Sequence, residues 1–272
     1  MRITDLQPKP FYTLPYANVS SSRRVVEDWL PFLRASVDSL PAALDAIVLT
    51  ADLQGREIAD EYTKPTKLLG EMLAAEIGVL RELGELPCKE RTAVVLAGDF
   101  YACPAMDRRG GSGDVRAVWL ALAEVCRWVA GVAGNHDALG SGSSTFDGET
   151  FARISGVHFL DDTAVELDGL KVAGLSGIVG NPRKPFRRDE HQFADALGYL
   201  AMGGPDLLVT HDGPDVDGTN LRGWTSVRKA LELGRPTLVV RGHAHWDSPL
   251  ALLANGTQIL NVDSRVVVLC RS

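Results

Sequence analysis

A chain of 272 residues, 45% of them hydrophobic and with every residue type represented, is long enough to bury one large core or two modest ones, which excludes a disordered or fibrous protein. A net charge of −7 argues against a surface that grips nucleic acid throughout, although a local basic groove is compatible with it. Cys88, Cys103, Cys126 and Cys270 show neither CxxC pairing nor scaffold density and read as reduced thiols; the N-terminus is charged and proline-containing, and no apolar run reaches membrane-spanning length, so the expected location is the cytoplasm.

Taken in chain order, Val25, Val26, Trp29, Leu30 and Leu33 suggest an amphipathic helix that covers a sheet face or a cleft. Short apolar runs at 46–50, 93–97, 128–133, 170–175, 207–210 and 237–241 read as buried strands. Helical spacing lies between them, first in Leu68, Leu69, Met72, Leu73, Ile77 and Leu80, then in Val115, Val118, Trp119, Leu122, Val125 and Cys126. This alternation predicts an α/β protein. The stretch ALLANGTQILNVDSRVVVLC then gives three strand-like pieces punctuated by Asn255-Gly256 and Asp263-Ser264, the pattern of antiparallel hairpins. No repeat and no convincing linker divides the chain, so residues 1–272 read as one domain, with 1–45 an N-terminal extension or helix packed on it.

The strand-like runs share polar residues at their C-terminal ends. These are Asp52 and Gln54 in TADLQ, Asp99 in AGDF, Asn135, His136 and Asp137 in AGNHD, His211 in VTHDGP, and His243 and His245 in RGHAHW. Ligands of open α/β sheets bind outside the carboxyl ends of the strands, so these residues are expected to converge. Residues i and i+2 of an extended segment share a side, which lets His243 and His245 face one cavity, and Asp52 and Gln54 likewise. Gly98, Gly134 and Gly242 are expected to let the backbone turn just before Asp99, Asn135 and His243. Imidazoles, carboxylates and carboxamides without thiolate suit Mn, Fe, Zn, Ni or Co.

The ordered series DLQ, GDF, GNHD, THDGP and GHAH resembles the calcineurin-like metallophosphoesterase superfamily, whose pattern is D-x-H, G-D, G-N-H-D/E, H and G-H-x-H. The resemblance spans residues 46–268 and implies a four-layer αββα sandwich of two mixed β-sheets, with a metal site at the C-terminal ends of strands. It implies a dinuclear centre in which Asp99 bridges two divalent ions, Asp52, Gln54 and His245 complete one site, and Asn135, His211 and His243 complete the other. His136 would stand beside the substrate phosphate, assisting the transition state or protonating the leaving oxygen, with Asp137 orienting it. Two cations about 3.5–4 Å apart would acidify a water and stabilise in-line attack of hydroxide at phosphorus.

One departure is Gln54, where the pattern has histidine. A carboxamide is a weaker, uncharged ligand, so affinity at that position is expected to fall and preference to shift toward Mn²⁺. The D-x-Q variant resembles the Mn-dependent ADP-ribose/CDP-alcohol diphosphatase branch, which retains activity. A second departure is GDFYACPAM, which lacks the later aspartate common in relatives.

The expected substrate is a phosphomonoester or phosphodiester of a nucleotide or nucleic acid. Arg108 and Arg109 before GGSG, and Arg183, Lys184, Arg187 and Arg188 in NPRKPFRRDEH, are the candidate phosphate contacts. Against that role, charge runs in loops are usually solvated faces. Tyr101 is a candidate for stacking on a base, whereas Phe100 and Cys103 read as packing residues. The alternatives are a metal-free scaffold for protein binding and a protein Ser/Thr phosphatase.

Overall fold

Apolar runs without a polar break become the central strands, because a strand covered on both faces has no position that water reaches. The computed structural model describes residues 1–58, 66–108, 110–140, 151 and 154–272. In chain order the first strands are β1 (Ile3–Leu6), β2 (Tyr12–Val19), β3 (Val25–Val37), β4 (Ala46–Ala51), β5 (Thr92–Ala97), β6 (Gly113–Asp114), β7 (Val129–Val132), β8 (Asp137–Ala138) and β9 (Val157–Phe159). Next come β10 (Thr163–Leu167), β11 (Leu170–Leu175), β12 (Ile178–Val179), β13 (Arg187–Arg188), β14 (Leu207–Thr210), β15 (Leu238–Arg241), β16 (Leu250–Leu252), β17 (Gln258–Asn261) and β18 (Arg265–Arg271). Helices α1 (Leu69–Glu82), α2 (Arg116–Val125), α3 (Glu190–Met202) and α4 (Thr225–Leu233) join successive parallel strands.

Sheet one runs β1-β3-β18-β4-β5-β7-β9, with β2 also paired to β3, and sheet two runs β10-β11-β14-β15-β17-β16. Every residue of β4, β5, β7, β14 and β15 is buried. Alternation along each strand divides three cores. Val48, Val94, Leu96 and Val268 face α1 and α2, where Leu73, Ile77 and Trp119 meet them. Ile47, Leu49 and Val95 face the other way, onto Val209, Val240 and Leu260 of sheet two. Leu208, Val239 and Ile259 then pack on Phe193 and Leu197 of α3 and Val227 and Leu231 of α4. The layers are therefore αββα. Both parallel blocks, β4-β5-β7 and β14-β15, end on the same side of the sandwich.

Two expectations are corrected. Residues 25–37 form strand β3, not an amphipathic helix. Leu30 and Phe32 face α1 while Leu33, Ala35 and Val37 face sheet two, and Val25, Val26 and Trp29 are exposed where β2 and β3 extend past the other strands. Pro31 would break a helix interior; in β3 it sits one residue before pairing with β18 begins, at Phe32 and Val266. The second correction concerns Asp263-Ser264, which does not close a hairpin. Val262 N–H donates to Arg241 O in sheet two and Ser264 N–H to Ala51 O in sheet one, so this dipeptide carries the chain between sheets. Asn255-Gly256 does turn an antiparallel pair, β16 and β17, with Gly256 at φ +87°. Among the described residues no helix is long and apolar enough to cross a membrane, and all four cysteines are free.

Candidate metal centre

The chain turns sharply where β4, β5 and β15 end. Asp52, Asp99 and His243 adopt left-handed backbone conformations with φ of 56°, 62° and 68°. Each costs on the order of 1–3 kcal/mol for a side chain other than glycine, and such strain concentrates at functional sites. Cross-strand bonds fix these turns, with Asp52 N–H donating to Gly98 O at 2.9 Å and Gly242 N–H to His211 O at 3.1 Å. Of the three preceding glycines, only Gly98 uses its freedom at positive φ, +94°. Gly134 and Gly242 supply room instead, since a Cβ there would overlap Asp99 Oδ1 or Asp52 Oδ2.

Asp137 ties the second and third motifs together. Its carboxylate accepts backbone N–H bonds from Asp99, Phe100 and Gly134, each at 2.8 Å. Both oxygens are thereby committed to the backbone, so Asp137 fixes the loops and does not orient the His136 ring as expected. Burial pushes its carboxyl up to about 6, with the neighbouring Asp99 charge adding to the rise. The His136 backbone N–H donates to Asp99 Oδ1 at 2.9 Å, and its ring stands 3.4 Å from Ser112 Oγ.

Candidate ligand atoms of Asp99, His211 and His243 all lie within 4.8 Å of one another. His211 is fully buried, its Nδ1 is 2.7 Å from Ala97 O, and its Nε2 faces Asp99 Oδ2 at 3.3 Å. The His211 and His243 rings are 5.1 Å apart. Burial alone would discharge His211, but the Asp99 and Asp52 carboxylates outweigh it and push the imidazole up to about 10. Burial also raises Asp99, yet contact with the His211 imidazolium holds that carboxyl below its ordinary value. For Asp52 burial outweighs the attraction of His211 and lifts the carboxyl well above the usual range. His243, although part of its surface is exposed, is lowered by desolvation of its ring against the packed cluster and by the His211 charge.

The donor set fits a divalent ion on a second count. Asn135 Oδ1 is buried without a hydrogen-bond partner, and His211 Nε2 has only the poorly aligned Asp99 carboxylate. A buried oxygen left without a donor costs about 1–3 kcal/mol, which a cation would offset. Asp52 Oδ2 accepts the His243 N–H at 2.8 Å. His245 is exposed, and its Nδ1 is held 2.9 Å from Asp263 Oδ2, leaving Nε2 as the available donor. Gln54 donates from Nε2 to Asp99 Oδ2 at 3.2 Å, so in this structure the carboxamide serves the central aspartate.

Sequence reasoning missed Asp263, which the NVDS stretch presents as a turn former. It is pinned by its own N–H to Asn261 Oδ1 at 3.0 Å, while Asn261 Nδ2 reaches Ala244 O at 2.7 Å between the two histidines. Also missed was Arg241, fully buried beneath the GHAH loop, with Nε on Gly242 O at 3.0 Å and Nη1 on Arg222 O at 2.7 Å. Asp212 beside His211 lies 3.7 Å from that guanidinium and accepts Trp224 Nε1 at 2.7 Å. An arginine inside an otherwise apolar strand, VVR, was the available signal.

Of the candidate phosphate contacts, Arg108 and Arg183 are exposed and Arg109 lies outside the described residues. Arg187 Nη1 bonds locally to Pro185 O at 3.0 Å. Arg188 is structural, pairing with Asp161 at 2.8 Å and donating to Ser176 O. Asp189 is the N-cap of α3, accepting the Gln192 N–H at 2.9 Å. Phe100 is fully buried, and Tyr101 packs under Gly111 and Gly113.

Solved structures share the fold. Protein TT1561 of Thermus thermophilus superposes with a TM-score of 0.53 at 16% identity, covering 80% of this chain and 88% of that one. A second crystal structure gives 0.51 at 13% identity, covering 80% and 90%. Among curated proteins no relative matches. The family model for calcineurin-like phosphoesterases matches residues 46–247, which contain every strand-end motif described above, and the chain belongs to that family.

Proposed function

We propose that this protein hydrolyses a phosphomonoester or phosphodiester of a nucleotide or nucleic acid, using two divalent metal ions, in the cytoplasm. The carrying observation is the convergence of Asp99, His211 and His243 at the strand ends. Asp99 would bridge the ions, with Asp52, Gln54 and His245 on one and Asn135, His211 and His243 on the other. Mn²⁺ is the preferred ion, because Gln54 replaces an imidazole with an oxygen ligand once its amide turns from Asp99. The ions would supply charge neutralisation and a nucleophile at neutral pH, by lowering the pKa of water and screening the phosphate oxygens.

The chain's own residues prepare this chemistry. Ala97 O and the Asp263 carboxylate fix one ring nitrogen each of His211 and His245, which turns the other nitrogen of His211 toward Asp99 and leaves that of His245 available. Asp137 locks the backbone that carries Asp99 and Asn135. His136, half-buried on the same loop, is placed to give a proton to the leaving oxygen, a contribution of about 10²–10⁴ in rate.

Protein stripped of metal and resupplied with Mn²⁺ is expected to bind close to two ions per chain and to hydrolyse aryl phosphate mono- or diesters. His136→Ala is expected to retain the metal and lose rate. Absence of turnover across Mn, Fe, Zn, Ni and Co, with no metal retained after gel filtration, would overturn the reading in favour of a scaffold.

A further inference from the structure

Beside the centre, the lateral edges of the two sheets leave a cavity of about 660 Å³. It is lined by strand β1 with Pro8 and Pro10, by Pro31 and Leu33 of β3, and by the segment 247–250. Two lining residues touch His245. Asp247 Oδ1 is 3.9 Å from its Nε2, and Arg265 Nη2 is 3.5 Å from its Nδ1. The cavity therefore begins where the candidate metal ligands end. Its size lies in the range of small-molecule sites and exceeds what a lone phosphate needs.

Its chemistry narrows the occupant. Proline and leucine surfaces suit a flat or apolar ring, while Gln7 and Ser248, whose hydroxyl is held only by a long bond to Leu250 O at 3.5 Å, offer hydrogen bonds to hydroxyl and amino groups; the Thr4 hydroxyl is already bonded to Ser36 O and Ser272. Asp5 and Asp247 add acceptors and repel further anionic groups. The single cation among the described lining residues, Arg265, is only 7% exposed and already donates to Asp263 O and Trp246 O. A chain of phosphates finds no welcome there; a neutral sugar with an amino-bearing base does.

Trp29, which is not itself a lining residue, offers a flat partner next to the lining Pro31. It lies two residues before Pro31 on the same face of β3, about 7 Å along the strand, and its residue surface is 53% exposed. Aromatic platforms of this kind stack on bases regardless of base identity.

We infer that this cavity receives the alcohol moiety of the ester, and that this moiety is a nucleoside stacked on Trp29. The inference rests on the phosphoesterase reading and sharpens its substrate class. Adenosine, which carries no phosphate, should bind the metal-free protein, quench its tryptophan fluorescence and shift the amide signals of 3–10 and 247–250. Ser248→Phe, which fills the cavity, and Trp29→Ala should each weaken adenosine about tenfold or more, whereas Trp29→Phe keeps a platform and stays near the parent value. In the Mn-loaded enzyme, Trp29→Ala should lower the kcat/KM ratio of a nucleoside phosphoester to a ringless ester about tenfold, through KM. Circular dichroism spectra matching the parent exclude misfolding as the cause. Adenosine binding that is absent at millimolar concentration, or indifferent to both substitutions while aryl phosphates still turn over, would overturn the inference and leave the phosphoesterase reading intact. Stronger perturbation of the same amides by a phosphopeptide than by adenosine would also overturn it. Adenosine binding without turnover under any metal would instead remove the hydrolytic reading, and the leaving-group assignment with it.

Discussion

The centre has a fixed half and an open half. Asp99, Asp137 and His211 are 2%, 5% and 0% exposed, and backbone groups hold all three. His243 and His245 are exposed, and carboxylates from distant segments steady them, Asp52 through the His243 backbone and Asp263 through the His245 ring. The buried acids and imidazole are built by the fold itself, since removing them from water demands complete bonding. The outer imidazoles are held by fewer bonds, the His243 ring through its backbone and the His245 ring through one nitrogen. The fold thus prepares half of the centre and leaves the rest to be completed on binding.

Substitutions can break that contrast. The largest effect is expected for Asp99→Ala, which removes the shared carboxylate and should abolish metal retention and lower activity well beyond the roughly 100-fold attributed to an outer partner, read by metal content and turnover. Asp137→Ala should strike the fold first. It strands three buried N–H groups at about 1–3 kcal/mol each, so chemical denaturation should show a loss of several kcal/mol. Asp263→Asn tests the open half. Metal affinity by calorimetry should fall about 10–100-fold while the denaturation midpoint moves little. Equal unfolding penalties for Asp137→Ala and Asp263→Asn would erase the distinction between the halves.

The smallest effect belongs to a control far from the centre. Asp168 accepts Arg127 at 2.7 Å and Trp128 Nε1 at 2.8 Å, and the Arg127 hydrogen bond holds its carboxyl below the ordinary value. A depressed folded value means that the stabilisation is present above the unfolded pKa of about 3.9 and is lost as pH falls through the folded one. Asp168→Asn should cost about 1 kcal/mol near neutrality, because the pair is partly solvent-screened, and that cost should vanish in acid. A cost constant with pH would refute the ionic origin.

Much of this centre was legible because each motif residue follows an apolar run, and parallel strands end together. Asp52, Asp99, Asn135, His211 and His243 needed only that rule to be gathered. Asp263 escaped, since its partner lies across a passage between sheets, and a D-S pair reads locally as a turn. Strand β3 escaped because its exposed overhang places Val25, Val26 and Trp29 at spacings that mimic a helical stripe, and Pro31 was the contrary signal. Asp137 was expected to serve the His136 side chain, and only the geometry of three converging amides reveals its attachment to the loops.

Strand β18 lies between β3 and β4, parallel to the first and antiparallel to the second. Every other strand of this sequence precedes it, so during synthesis the N-terminal hairpin must wait for a wedge delivered more than two hundred residues later. Until then Phe32 and Val48 present open seams to any passing chain, and closure pairs residues of very large sequence separation, a slow and aggregation-exposed step. Clipping residues 265–271 should therefore remove the strand that joins β3 to β4 and leave the β1–β3 ribbon held by the Ala17–Arg56 and Ile3–Gln258 bonds, even though no candidate ligand lies within the deleted segment.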